Sequence, residues 1–153
     1  MSRDSKLSSV LHLLLHLGES ETPLTSEQLG AMNQTNPVVI RRLLAGLREG
    51  GLVASEKGHG GGWILAKNLE FLSVADVYRA LGAPALFQFQ HRNESPTCLL
   101  EKAVNFALDD ARAEAEAVLL KRLSQIPLSA LAEQVKKHAA KARSASASKP
   151  KTH

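Results

Sequence analysis

Apolar residues recur along this chain with two periods, and the switches between them outline its elements. In residues 4–17, Leu7, Val10, Leu11, Leu14 and Leu15 fall at helical spacing. The segment is apolar on most faces, which predicts a central helix stopped by Gly18. Pro23 breaks the chain. Thr25-Ser26-Glu27-Gln28 then has the form of a capping box and predicts a short helix to about Met32. Asn36-Pro37 pairs a good N-cap with a proline suited to the first helical position. Val39, Ile40, Leu43, Leu44 and Leu47 follow as one apolar stripe, and Gly50-Gly51 supplies the stop. Two helices joined by a short turn, the second rich in arginine, form the helix-turn-helix pattern.

After residue 51 the helical period is lost. Leu52-Val53-Ala54-Ser55 and Trp63-Ile64-Leu65-Ala66 read as short strands around Glu56-Lys57-Gly58-His59-Gly60-Gly61-Gly62. A hairpin directly behind a recognition-type helix is a wing. Ser73, with Asp76 three residues on, opens another helix that reaches Gly82 before Pro84. Residues 84–95 read as a connecting loop. Ser95-Pro96 repeats the cap-plus-proline signal, and Ala, Leu, Glu, Lys and Arg carry a long helix to about Leu123. Pro127 ends it, and Leu128 to about Ala140 predicts a last helix. The Ser/Ala/Lys composition of residues 141–153 predicts a disordered basic tail. The expected fold is mainly α with a small β-hairpin. A winged helix-turn-helix domain spans residues 1–83, and dimerisation helices span 96–140.

Charge changes this picture less than its total suggests. The chain has 153 residues and a net charge of +4, with a pI of 9.4. Residues 133–153 hold six Lys/Arg against Glu133, a net +5, which leaves −1 for the first 132 residues. A case for nucleic acid therefore rests on local placement. No apolar run is long enough for a membrane span. Met1-Ser2-Arg3-Asp4 lacks the order of a signal peptide. The single cysteine favours a reducing compartment. A cytoplasmic, bacterial, nucleoid-associated protein is expected.

Two constellations point to double-stranded DNA. With the apolar stripe inward, Val38, Arg41, Ala45 and Arg48 fall on the outer face of the second helix, with Arg42 beside them. Arginines separated by small residues suit a major groove, where they grip phosphates or read guanine. Thr35 and Asn36, at the helix start, would lie nearest the DNA. An ordinary solvated basic face would carry the same arginines; the wing that follows favours DNA. Lys57, His59 and Gly60 tip a slim loop fit for a minor groove. A phosphate-cradling nucleotide loop is disfavoured, because no Gly-Lys-Ser/Thr follows and the loop leads into a strand.

The long helix carries two stripes. Leu100, Val104, Ala107, Ala111, Ala115 and Val118 form one, and Leu99, Ala103, Phe106 and Leu119 belong to the other. One stripe for the helix's own domain and one for a second copy would make a homodimer; one-sided core packing is the alternative. If Ser95 is the N-cap, Cys98 is the third residue inside the helix, where free amides favour a thiolate. His91 and Arg92 are close in sequence, and Glu94 opposes them. A sensing thiol and an inert half-buried cysteine both fit. His12 and His16 have the four-residue spacing of metal ligands, but no carboxylate or cysteine accompanies them in that segment, so packing at a helix edge is the expectation and no metal site is assigned. No nucleophile–base set or carboxylate pair suggests an enzyme.

Asn36-Pro37-Val38-Val39-Ile40-Arg41-Arg42-Leu43-Leu44, Leu47, Gly51-Leu52-Val53 and Gly58-His59-Gly60-Gly61-Gly62-Trp63-Ile64-Leu65 resemble the Rrf2 family of winged-helix regulators. The run from His91 to Cys98 and Leu123-Ser124-Gln125-Ile126-Pro127-Leu128 also fit, so the resemblance covers about residues 3–132. It implies a homodimeric transcription regulator, its long helix crossing to the partner, on a palindromic operator. Carried over, the DNA contacts are Thr35, Asn36, Val38, Arg41 and Arg42, with Lys57, His59 and Gly60 in the wing. Cluster-binding members use three cysteines around the start of the long helix. Here residues 85–106 contain Cys98 alone, so the resemblance is to the cluster-less branch and no cofactor is expected. The effector would then be thiol oxidation, a small molecule or a partner protein. A winged-helix interaction module without specific DNA binding is the alternative function.

Overall fold

The computed structural model describes residues 4–85, 91, 95 and 97–147. Helix α1 (Asp4–Glu19) buries Val10, Leu13, Leu14 and Leu17. It ends at Glu19, one residue past the expected stop at Gly18. A Cβ at Gly18 would stand 2.4 Å from Leu69 Cδ1, so this glycine also lets two segments approach closely.

Helices α2 (Ser26–Met32) and α3 (Pro37–Glu49) start as their caps predict. Gln28 N–H donates to Thr25 Oγ1 at 3.2 Å and Thr25 N–H donates to Gln28 Oε1 at 2.9 Å. Asn36 Oδ1 accepts from Val38 N–H at 2.8 Å. Ile40, Leu44 and Leu47 of α3 are fully buried. Strands β1 (Val53–Glu56) and β2 (Gly62–Leu65) pair antiparallel, Val53 opposite Leu65 and Glu56 opposite Gly62. Leu24 adds a short third edge. Its N–H donates to Trp63 O at 3.0 Å and its carbonyl accepts from Trp63 N–H at 2.8 Å.

Helix α4 (Val74–Ala80) opens on the Ser73/Asp76 capping box. The long helix α5 (Leu99–Ser124) begins three residues later than expected, with Cys98 as N-cap in place of Ser95. Pro96 lies outside the described residues. After α5 the chain returns to the winged domain: Val74 N–H donates to Ile126 O at 3.0 Å, and Leu128 N–H to Leu72 O at 2.8 Å. Helix α6 (Leu128–Ala147) then places Leu128, fully buried, in the same core as α1, α3 and α4. It also corrects the expected tail, since residues 142–147 are helical. Alanines recur through this stretch, and their helix propensity needs no tertiary contact. Residues 148–153 lie outside the described residues.

A second correction concerns α5. No residue of this helix is buried. The stripe expected to pack on its own domain is open: Leu99 is 78% and Phe106 74% exposed. Its half-buried positions run along one face, from Glu101, Asn105, Asp109, Arg112 and Glu116 to Leu119 and Leu123. Among the described residues, no helix is long and apolar enough to cross a membrane.

Candidate nucleic-acid interface

Burial of Ile40, Leu44 and Leu47 fixes which face of α3 looks outward. Val38, Arg41, Arg42 and Arg48 are exposed, and Ala45 is half-buried between them. The arginines have different local partners. Arg41 is ion-paired with Glu27 of α2. Both side chains are mostly exposed, so the pair is weak and exchangeable. Arg42 is exposed, with no ion pair among the described residues. Arg48 leans back: its guanidinium lies 5.9 Å from the Trp63 ring centroid, and its Nη1 reaches Ser55 Oγ at 3.5 Å. It braces the helix against the hairpin.

Thr35 and Asn36 are occupied locally. The Thr35 hydroxyl donates to Asn33 O at 3.0 Å, and the Asn36 carboxamide oxygen caps α3. Their side chains shape the turn, and Val38, Arg41 and Arg42 remain as the outward set.

Strand β1 packs against α3, and the hairpin tip follows it. Lys57, Gly58, His59 and Gly60 are all exposed. Gly58 (φ +98°) and Gly60 (φ +75°) adopt backbone conformations that side chains resist. The loop can therefore stay thin enough for a groove. Its base is anchored by a contact that the sequence did not reveal. Trp63 Nε1–H donates to Ser26 Oγ at 3.0 Å, and Ser26 is a buried polar residue of α2. Trp63 is the chain's single tryptophan and flanks the glycine run, a position that offered the only hint of a wing anchor.

Cys98 is exposed at the start of α5. Its sulfur makes no formal cap bond, yet the amides of Glu101 and Leu100 face it and hold the thiol below its ordinary pKa. Arg92 and Glu94 lie outside the described residues.

This geometry matches known proteins. The Rrf2 family model, described as an iron-dependent transcriptional regulator, matches residues 3–134. The HTH-type transcriptional regulator YwnA of Bacillus subtilis (strain 168) is 31% identical over 107 residues, covering 70% of this chain and 79% of its own. A transcriptional regulator from Lactobacillus plantarum superimposes with a TM-score of 0.74 at 20% identity, covering 94% of this chain and 98% of that one. T. potens IscR does so with a TM-score of 0.68 at 19% identity, covering 90% of each chain. These two solved structures establish the fold.

The family's description names iron, and this chain offers few donors for it. Cys98, the single cysteine, stands exposed, and among the described residues no three His, Cys, Asp or Glu side chains converge. That donor set does not fit an iron–sulfur cluster. What the chain shares with the family is the winged helix-turn-helix and the long helix behind it: it belongs to the Rrf2 family of DNA-binding transcriptional regulators.

Proposed function

We propose that this protein is a homodimeric repressor of a palindromic operator, reading DNA with α3 and the β1–β2 hairpin and needing no cofactor. The observation that carries the reading is the outward face of Val38, Arg41 and Arg42 together with the exposed tip Lys57-Gly58-His59-Gly60 of the hairpin that packs on α3. A helix in the major groove and a thin loop in the adjacent minor groove would use both at once. Glu27 must release Arg41 as phosphate takes its place, an exchange between two exposed partners that costs little. Arg48, held at Trp63, keeps helix and wing in register and is a positioning residue. Two copies would join through α5, where Leu100, Val104 and Val118 of the first stripe lie open. The winged domain's core closes without that stripe, so a second copy can cover it.

The test is retention of a duplex taken from upstream of the protein's own gene. The double substitution R41A and R42A should abolish retention and leave the circular dichroism spectrum unchanged. Undiminished retention would sink the reading.

The signal in this reading is oxidation or alkylation of Cys98. An exposed thiol whose ionised form is favoured by two amides suits attack on peroxide or an electrophile. Peroxide or an electrophile should release wild-type protein from DNA and leave C98S bound. Equal release of both proteins would exclude Cys98 as the sensor.

A further inference from the structure

Helix α1 carries a pair of imidazoles that the DNA-binding reading does not use. His12 and His16 are one turn apart, and their Nε2 atoms face each other at 2.9 Å. The ring centroids are 4.5 Å apart with the planes tilted by 58°. His12 is exposed and His16 half-buried, so the pair is open to solvent on one side. The far nitrogen of His12 is also held: its Nδ1 lies 2.8 Å from Asn33 Oδ1. A carboxamide oxygen can only accept, so this ring nitrogen carries the hydrogen and Nε2 keeps its lone pair. Asn33 Nδ2 is buried with no partner among the described residues. The amide's resolved side-chain bond is thus the one to His12. Nδ1–H donated to a fixed oxygen is the arrangement that orients metal-binding histidines.

We propose that His12 and His16 form a two-imidazole site for a divalent transition metal that binds imidazole strongly, copper(II) or nickel(II), with Asn33 as the positioning residue. One helical turn brings both imidazoles within reach of a single ion, and copper(II) and nickel(II) stand high in the affinity order for nitrogen ligands. On binding, the hydrogen that His16 shares with His12 moves to His16 Nδ1, both Nε2 lone pairs turn to the ion, and water fills the remaining positions. The site is separate from Cys98 and from any thiolate cluster. Asn33 is the C-cap of α2 and begins the turn into α3, so the His12–Asn33 bond ties the site to the helix-turn-helix.

The experiment is calorimetric titration of the full chain with copper(II) at neutral pH, read alongside electron paramagnetic resonance. Wild type should bind with two imidazole nitrogens in the copper hyperfine pattern. H12A, at an exposed ring, and H16A, at a half-buried one, should each bind at least tenfold more weakly and show one nitrogen or none. N33A should lose about tenfold in affinity with the histidine pair intact, within the range that outer-shell partners contribute. Identical affinity and nitrogen count in wild type and H16A would overturn the site. An unchanged affinity in N33A would overturn the positioning role.

Discussion

At the residue scale, local chemistry decides where helices begin. Ser73 and Asp76 show it most fully. Burial works to raise the Asp76 pKa, but bonds from the Ser73 N–H and hydroxyl, both at 2.8 Å, together with the charges of Arg79 and Lys67, outweigh it and leave the pKa lowered. A carboxyl with a lower pKa folded than unfolded stabilises the fold above its unfolded pKa, and that contribution is lost as pH falls through the folded value. Urea denaturation across the acid range should show this loss in wild type and a flatter profile in D76N. Removing the cap with S73A should cost about 1 kcal/mol at neutral pH. A D76N profile superimposable on wild type would refute the assignment. Such caps were legible in the sequence because partner and target lie within three residues, as at Thr25/Gln28 and Asn36-Pro37. The bonds that assemble the site were not. Trp63 to Ser26, Arg41 to Glu27 and His12 to Asn33 join residues 37, 14 and 21 positions apart. Only the folded chain brings them together.

At the element scale, pattern indicated what exists better than what it packs against. The apolar stripe of α3 and the glycine-rich hairpin were both readable, because each follows from backbone geometry. Gly18 was readable as a helix stop, and α1 ends one residue on, but its second role, room for Leu69 to approach, was not. The first part of the tail, to residue 147, was misread because a composition too polar for a core still favours helix when alanine is frequent. For α5, two stripes were legible but their partners were not. Its apolar positions lie open, Leu100 78% and Val104 57% exposed. If this face joins two copies, V104R with A111R should turn a dimer into a monomer of about 16.5 kDa in sedimentation equilibrium. The two positions are seven apart on one stripe, so both charges enter one seam. A doubly substituted chain that stays dimeric would place the interface elsewhere.

At the scale of the whole molecule, the β-hairpin, the recognition helix and the return of α6 share one core. Leu128 reaches it from the far end of the chain, beside residues of α1, α3 and α4. The first 132 residues carry a net charge of −1, so global attraction to DNA is not built into the domain. Apart from the basic residues beyond 132, affinity must come from a few cations set on one face. The most direct measurement is binding of the wild-type chain to its own upstream duplex and to a random duplex over a range of salt. The account predicts that affinity for the upstream duplex falls steeply with salt, about one power of salt per neutralised phosphate. It also predicts that this duplex is preferred by about 10³-fold or more. Equal binding to both duplexes, or none to either, would contradict it and favour an interaction module that does not read DNA.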